Sequence, residues 1–352
     1  MQTTHKIITA DSRKLDSIPD NSIDLVVTSP PYPMIRMWDE IFSALSSDTK
    51  KALEKENGDL AFETMHKELD KTWKEAYRVL KDGSFACVNI GDAVRTIGGR
   101  FKLYSNHSRI ITSFRNLGFD CLPVILWRKQ TNAPNKFMGS GMLPSGAYVT
   151  LEHEYILIFR KGAKKIFKSE ESKQRRMESA FFREERNTWF SDVWDFKGTT
   201  QRLVHSDLRE RSGAYPLELA YRLINMYSLY GDTVLDPFLG TGTTMLAALA
   251  CARNSIGVEI DKAFSRVVLD QTYNSQKIAN SLLAQRIIKH RKFVDNRLSQ
   301  QKGLKYKNIP HGFPVMTRQE VQLCLKRVSD MRKDRKGTII TEYENLGEMK
   351  AD

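Results

Sequence analysis

A short polar motif near the N-terminus carries groups that could hold a polar substrate. Residues 23–27, which are apolar except for Asp24, run directly into Thr28-Ser29-Pro30-Pro31-Tyr32. We predict a buried strand that stops abruptly at the two prolines. Each proline fixes its φ angle near about −65° and lacks an N–H, so the loop is stiff and its carbonyls have no ladder partner. A hydroxyl, free carbonyls and an aromatic ring on such a loop could cradle a flat polar substrate.

A second polar turn, Asp236-Pro237-Phe238-Leu239-Gly240-Thr241-Gly242-Thr243-Thr244, follows a predicted strand and begins a predicted helix. A G-x-G turn lets a ligand approach the backbone and points helix N–H groups at it. Position 245 is Met, so the third glycine of the dinucleotide fingerprint is missing. The next predicted strand carries Glu259 near its end, where a carboxylate could accept both hydroxyls of a ribose or could simply be solvated. Together these residues indicate an adenosyl ligand without phosphates, such as S-adenosylmethionine.

These motifs are embedded in an alternation of helices and strands, which predicts an α/β fold with a mostly parallel sheet. The predicted helices cover residues 60–80, 106–117, 216–229 and 243–252. The predicted strands cover residues 7–11, 23–28, 84–92, 122–127, 155–159, 233–236 and 255–260, and the strand at 155–159 is expected to form a hairpin with 122–127. Segments 91–99 and 130–150 are expected to be loops. Because ligands bind outside the carboxyl ends of parallel strands, both motifs should open on the same edge of the sheet.

Composition points to a soluble protein with an anionic partner. The chain has 352 residues, 41% of them hydrophobic, and a net charge of +13 with a pI near 9.4. Nucleic acid is the commonest partner of such a basic chain, although a merely lysine-rich composition would look the same. No signal-peptide core or membrane-length apolar run is visible, so we expect a cytoplasmic protein without membrane contact. The scattered Cys87, Cys121, Cys251 and Cys324 are expected to be small core residues, with neither disulfides nor a metal site.

Thr-Ser-Pro-Pro-Tyr followed by Asp-Pro-Phe-x-Gly-x-Gly resembles the amino-group DNA methyltransferases of restriction–modification systems. The catalytic motif precedes the cofactor motif, as in the circularly permuted β class. The resemblance covers roughly residues 5–160 and 205–270, including segments 126–129 and 151–155. It implies a Rossmann-like S-adenosylmethionine-dependent methyltransferase fold, double-stranded DNA as substrate and, as a possible partner, a restriction endonuclease sharing the target site. Ser29 at the first motif position is typical of N4-cytosine enzymes, whereas N6-adenine enzymes usually carry Asp or Asn there.

The resemblance also implies roles for individual residues. The catalytic residues would be Ser29, Pro30, Pro31 and Tyr32: the Ser29 hydroxyl and the Pro30 carbonyl would each accept an N–H of the cytosine amine, and Tyr32 would stack on the flipped base. The expected cofactor contacts are Asp11, Thr28, Tyr215, Asp236, Pro237, Phe238, Gly240, Gly242, Thr243, Thr244, Glu259 and Ile260. The expected DNA contacts are Trp127, Lys129, Lys173, Arg175, Arg176 and Arg183. The absence of a Pro-Cys nucleophile argues against methylation of a ring carbon.

The expected domains are a catalytic domain formed by 1–160 and 212–272, a target-recognition insertion at 161–211, and a basic C-terminal extension at 273–352. The insertion mixes Lys and Arg with aromatic residues, which suits phosphate and base contacts. The extension could contact DNA or cover the sheet.

Three alternative functions remain open: an N6-adenine enzyme of the same fold, a non-catalytic DNA-binding protein that retains the fold, and a methyltransferase acting on RNA or a small molecule.

Overall fold

The computed structural model describes residues 1–129, 138–198 and 215–347. The first range contains β1 (Gln2–Thr9), β2 (Ile23–Thr28), α1 (Asp39–Leu45), α2 (Ser47–Glu54), α3 (Gly58–Val79), β3 (Leu80–Ile90), β4 (Ala93–Ile97), β5 (Arg100–Tyr104), α4 (Asn106–Asn116), β6 (Phe119–Cys121) and β7 (Ile125–Arg128). The second contains β8 (Met138–Gly139), β9 (Ala147–Tyr148), β10 (His153–Lys161), α5 (Glu170–Glu178), α6 (Arg183–Trp189) and β11 (Val193–Asp195). The third contains α7 (Leu217–Tyr227), β12 (Thr233–Asp236), α8 (Thr243–Ala250), β13 (Asn254–Glu259), α9 (Lys262–Tyr273), α10 (Gln276–Ser299), β14 (Tyr306–Lys307), β15 (Pro314–Val315), β16 (Lys326–Lys333) and β17 (Ile339–Asn345).

One 11-stranded sheet organises the described residues, in the order β11-β7-β10-β3-β2-β12-β13-β1-β17-β16, with β6 paired to β10. Neighbouring strands from β3 through β2, β12 and β13 to β1 are parallel. Strand β10 runs antiparallel to both β3 and β7, and the β16–β17 hairpin adds antiparallel strands beside β1. The predicted α/β fold with a mostly parallel sheet is therefore confirmed, as is the pairing of 122–127 with 155–159.

Helices cover both faces of the parallel strands, which explains the apolar run in β2. Val26 belongs to the cluster formed with Met65 and Trp73 of α3. Its neighbours Leu25 and Val27 point the other way, into a cluster with residues of α7 and α8. Because successive side chains of a strand point to opposite faces, a strand covered on both sides needs an almost continuous apolar sequence.

Several local expectations were wrong. The chain passes from α3 directly into β3 at Leu80, so no connector separates the predicted helix at 60–80 from the predicted strand at 84–92. Residues 93–104 form the β4–β5 hairpin where part of a loop was expected. The expected loop at 130–150 contains the paired strands β8 and β9, while 130–137 lies outside the described residues. Cys121 is exposed, whereas the other three cysteines are buried as expected.

The two segments expected to stand apart from the catalytic domain contribute to its sheet. The described part of 161–211 supplies β11, which pairs with β7, and buries Phe182, Trp189 and Trp194. The described part of 273–352 supplies β17, which pairs with β1, and β16, which is the edge strand beyond it, so this part of the chain extends the sheet. Residues 199–211 lie outside the described residues. No helix within the described ranges is long and apolar enough to cross a membrane.

Candidate active site

The predicted motifs meet in a cleft at one edge of the sheet. The parallel strands β1, β2, β3, β12 and β13 all end at this edge, and antiparallel β10 begins there. The chain segments that follow these ends, together with 151–154, line a cavity of about 1,200 Å³. The cleft is therefore where the fold places ligands of an open α/β sheet.

The loop at 29–33 is held from below by a buried amide. The Asn106 side chain donates to the Pro33 carbonyl at 3.0 Å and to the Gly91 carbonyl at 2.9 Å. Its Oδ1 lies 3.0 Å from His66 Nε2, and burial lowers the pKa of His66 to about 4, so this imidazole is neutral at pH 7. The Pro30 carbonyl, in contrast, accepts no hydrogen bond from the described residues. It remains available to a ligand.

A hydrogen-bond network fixes the Ser29 hydroxyl. Tyr32 donates its hydroxyl proton to Glu154 Oε2 at 2.9 Å, and Ser29 Oγ donates to the Tyr32 oxygen at 3.1 Å. Asn89 Nδ2 donates to both Tyr32 and Glu154, at 2.8 and 2.7 Å, while Lys129 Nζ donates to Glu154 Oε1 at 3.0 Å. Burial and the Glu154 charge raise the pKa of Tyr32 well above its usual value, so Tyr32 keeps its proton. Ser29 thus directs its own proton toward Tyr32 and leaves its lone pairs free.

The second motif is fixed by a buried carboxylate. Asp236 accepts hydrogen bonds from the Thr28 hydroxyl at 2.7 Å, the Thr244 hydroxyl at 2.7 Å and the Phe238 N–H at 3.0 Å. Burial raises the pKa of Asp236, and these donors oppose that rise. The Tyr215 hydroxyl bonds Thr244 in turn. Because Thr28 directly precedes Ser29, this cluster couples the two motifs mechanically.

Glu259 lies where a ribose-binding acid was expected. Its Oε2 accepts the Gly240 N–H at 3.2 Å and its Oε1 accepts the Asp261 N–H at 3.0 Å. Burial raises the pKa of Glu259, and these backbone N–H groups oppose the rise. A Cβ added at Gly240 would have no neighbour closer than 3.8 Å, so the missing side chain leaves room beside the carboxylate. The carboxylate acceptor and the free space beside it fit the ribose of an adenosyl group.

The cleft divides the predicted cofactor residues into two groups. Those that line it are Asp11, Tyr215, Pro237, Phe238, Gly240, Thr243, Glu259 and Ile260. Those that lie beneath it are Thr28, Asp236, Gly242 and Thr244. The latter support the loop, since their polar groups bond each other or their backbone packs against α9, and their contact with the cofactor stays a prediction. Asp11 lines the cleft but is paired with Arg13, which lowers the pKa of its carboxyl.

Comparisons with known proteins identify the family. Residues 23–303 match the model of the N6/N4 DNA methylase family. The chain is 51% identical over 327 residues to the type II methyltransferase M.MthZI of Methanothermobacter thermautotrophicus, an alignment covering 92% of this chain and 91% of the relative. The chain belongs to the N6/N4 DNA methylase family.

Two further relatives of this DNA methylase are informative. The type II methyltransferase M.MjaI of Methanocaldococcus jannaschii is 50% identical over 286 residues, covering 78% of this chain and 93% of the relative. A putative DNA modification methylase from Thermus thermophilus, solved in complex with S-adenosyl-L-methionine, is 32% identical with a TM-score of 0.59, covering 77% of this chain and 95% of that one. These similarities confirm the predicted methyltransferase fold and the predicted cofactor, S-adenosylmethionine.

The predicted DNA contacts of this methylase do not lie together. Lys129 lines the cleft beside Glu154. Trp127 was predicted to contact DNA, but its side chain is only 1% exposed and its indole N–H donates to the Phe196 carbonyl at 2.9 Å, so it packs in the core at the base of the cleft. The remaining predicted contacts, Lys173, Arg175, Arg176 and Arg183, lie on or next to α5 at the amino edge of the sheet. That edge is opposite Ser29, so these four side chains do not line the cleft, and their contact with DNA stays a prediction.

Sequence reasoning missed two polar residues of the methylase site. Asn89 is 2% exposed and stands in the otherwise apolar second half of β3, which was the available signal. Glu154 was included only in the segment 151–155 covered by the family resemblance, and its 13% exposed side chain is the acceptor on which the Ser29 network converges. Asp92, which also lines the cleft, is bonded to His107 at 2.8 Å.

Proposed function

We propose that this chain is a site-specific methyltransferase of a restriction–modification system that methylates the exocyclic N4 amine of cytosine in double-stranded DNA. The observation that carries the proposal is the orientation of Ser29, whose proton is directed to Tyr32 while its lone pairs stay free. The Pro30 carbonyl is a second unused acceptor next to it. Two acceptors on one stiff loop match the two N–H groups of an exocyclic amine.

The cofactor occupies the part of the cleft around Glu259, Gly240 and Phe238 in this proposal. When bound, S-adenosylmethionine supplies an electrophilic methyl group on a sulfonium. Glu259 would accept the ribose hydroxyls with its remaining lone pairs, and the ring of Phe238, which lies nearly perpendicular to that of Trp73, would form a wall of the pocket. These residues bind and orient, and we assign them no part in proton transfer.

Ser29 and Pro30 act on the target amine. The lone pair of a cytosine amine is delocalised into the ring, so the nitrogen is a weak nucleophile. Hydrogen bonds from its two N–H groups to Ser29 and Pro30 favour a tetrahedral nitrogen whose lone pair faces the methyl group. A neutral serine suffices for this because it needs only to accept. The base reaches this loop by leaving the DNA stack.

One proton must leave the nitrogen after the methyl group has been transferred. Ser29 Oγ accepts this proton, passes its own to the Tyr32 oxygen, and Tyr32 passes its own to the Glu154 carboxylate. The nitrogen then carries one methyl and one hydrogen, and Glu154 is protonated. Lys129 and Asn89 hold Glu154 in place through both carboxylate oxygens.

Transfer of labelled methyl groups tests the proposal. Incubation with labelled S-adenosylmethionine and unmodified double-stranded DNA should place the label on the DNA. Ser29→Ala should abolish most transfer while leaving the Kd for the cofactor near that of the unaltered protein. No label on DNA would refute the activity, and loss of cofactor binding in Ser29→Ala would refute the assigned role.

A further inference from the structure

A second large concavity lies at the amino edge of the sheet, away from the cleft. It has a volume of about 1,780 Å³ and is bounded by the starts of β2 and β3, the segment after β10, helices α5 and α6, and residues 317–319. Asp24 at the start of β2 lines this groove, whereas Ser29 after its end lines the cleft. The five residue steps between them span roughly 16 Å. The two sites therefore open at opposite edges.

Cationic side chains dominate the amino-edge groove. Its lining includes the cations Arg160, Lys164, Lys165, Lys173, Arg176, Arg183, Arg186 and Arg318. Its carboxylates are Asp24, Glu170 and Asp232. Each of these acids already has a basic partner: Lys81 at 2.8 Å from Asp24, Lys173 at 2.6 Å from Glu170, and Arg175 at 3.3 Å from Asp232.

Five of the groove cations form no ion pair with any described carboxylate: Lys164, Arg176, Arg183, Arg186 and Arg318. The guanidinium of Arg176 lies over the Phe167 ring at 4.8 Å, which holds it at the groove wall. Lys164, Arg183 and Arg318 come from three separate chain segments and are exposed. Like charges gathered in one concavity repel each other, so the cluster is best explained by an anionic ligand.

We propose that the amino-edge groove binds the phosphate backbone of double-stranded DNA, independently of sequence and separately from the cleft. The ligand must be extended and polyanionic, because the unpaired cations are distributed around a groove instead of converging on one point. A protein of the N6/N4 DNA methylase family encounters such a ligand as its substrate. The groove would hold a neighbouring segment of the same DNA and increase affinity for long molecules, while turnover at the target depends on the cleft.

The test reverses three exposed charges that have no partner to lose. We compare the protein with a Lys164→Glu, Arg183→Glu, Arg318→Glu variant in binding to long duplex DNA over a series of salt concentrations. Each phosphate contact contributes about 0.9 to the slope of log affinity against log salt, so the slope should shrink by about three. The kcat/KM on a duplex of about 12 base pairs, roughly 40 Å long, should stay within about twofold.

The matched control is Lys277→Glu, Lys289→Glu, Lys292→Glu, which makes the same charge change on the exposed side of α10. An unchanged slope in the groove variant, or an equal decrease in the control, would overturn the proposal. If the slope decreased only with single-stranded DNA, the proposal that the groove binds double-stranded DNA would be overturned. Loss of turnover on the short duplex would place these residues at the catalytic interface and also overturn it. Because the slope is measured without methylation, it remains decisive if the proposed N4-cytosine activity fails.

Discussion

The Tyr32 hydroxyl lies 2.9 Å from the Glu154 carboxylate and 3.1 Å from the Ser29 hydroxyl. Tyr32 therefore connects a residue of β10 to the loop after β2, two elements separated in the sheet by β3. The direction of these hydrogen bonds determines whether Ser29 faces a ligand as a donor or an acceptor. Glu154 fixes that direction, because an ionised carboxylate can only accept.

Replacing Glu154 with glutamine should reduce the catalytic rate while cofactor binding is retained. A glutamine amide can donate to Tyr32, which lets the hydrogen-bond direction reverse and turns the Ser29 proton toward the amine. Removing a charged acceptor from such a network costs about 2–4 kcal/mol, which corresponds to a rate decrease of roughly 30- to 1,000-fold. Single-turnover kinetics would measure the rate and calorimetry the Kd for S-adenosylmethionine. A rate within threefold of the unaltered protein would show that the direction is unimportant.

Tyr32→Phe separates the ring from the hydroxyl. The ring can still stack on a flipped base, but Ser29 and Asn89 lose their shared acceptor. We expect kcat to fall by roughly 5- to 13-fold with little change in KM for DNA, since a neutral hydrogen bond contributes about 1–1.5 kcal/mol. Combined with Glu154→Gln, the two effects should be much less than additive, because both act through the same bond. Full additivity would mean that the two residues act independently.

Gly91 allows the Tyr32 ring to occupy its position. A Cβ at Gly91 would lie 3.0 Å from Tyr32 Cε2 and 3.4 Å from Glu154 Cγ, so Gly91→Ala should displace the ring and lower kcat. Gly303→Ala is the matched control, because a Cβ at Gly303 meets nothing within 4 Å. Comparing the kcat and Tm of the two variants separates an effect on the site from general destabilisation. Equal activities would contradict the packing argument.

Glu259 should make cofactor binding depend on pH. Burial raises the pKa of its carboxyl, so protonation begins at a higher pH than for an exposed glutamate. Protonation removes acceptor lone pairs, and the affinity for S-adenosylmethionine should therefore fall as the pH is lowered toward that raised pKa. Glu259→Gln should bind at least about tenfold more weakly at pH 7 and should lose this pH dependence. Calorimetric titrations across pH would measure both effects, and identical pH profiles would contradict the assignment.

Asp236 is predicted to stabilise the fold and the site together. Its carboxylate satisfies two hydroxyls and one backbone N–H, so Asp236→Ala leaves three buried or partly buried donors without this partner. The free energy of unfolding should fall by about 2–4 kcal/mol, observable as a lower Tm. Asp261→Ala, which removes only the N-terminal cap of α9, should cost about 1 kcal/mol. A smaller loss for Asp236→Ala than for Asp261→Ala would argue against the proposed support.

The sequence allowed the parallel core of the fold to be predicted because its strands are buried on both faces and end in recognisable turns. The residues 23–28 form β2 with the predicted bounds, and 233–236 form β12. The position of α5 could not be predicted in this way, because its charged sequence resembles any solvated or DNA-binding helix. Only the tertiary placement beside Asp232 shows that it lies opposite the cleft.

The roles of individual polar residues were predicted less completely than the motifs. Thr28 belongs to the first motif and Asp236 and Thr244 belong to the second, yet the three side chains bond one another beneath the cleft. Conversely, Glu154 and Asn89 lie far from Ser29 in sequence and reach it only because β10 and β3 are neighbours. Contacts across a sheet depend on which strands are neighbours and on their register. Neither the strand order nor the register could be predicted from this sequence alone.

The identity of the methylated base tests the central claim most directly. DNA incubated with the protein and S-adenosylmethionine would be digested to nucleosides and analysed by mass spectrometry, with Ser29→Ala as the inactive control. We predict N4-methylcytosine in the sample treated with the unaltered protein and much less of it with the variant. N6-methyladenine in its place, or no methylated nucleoside, would contradict the assignment of Ser29 as the acceptor for a cytosine amine.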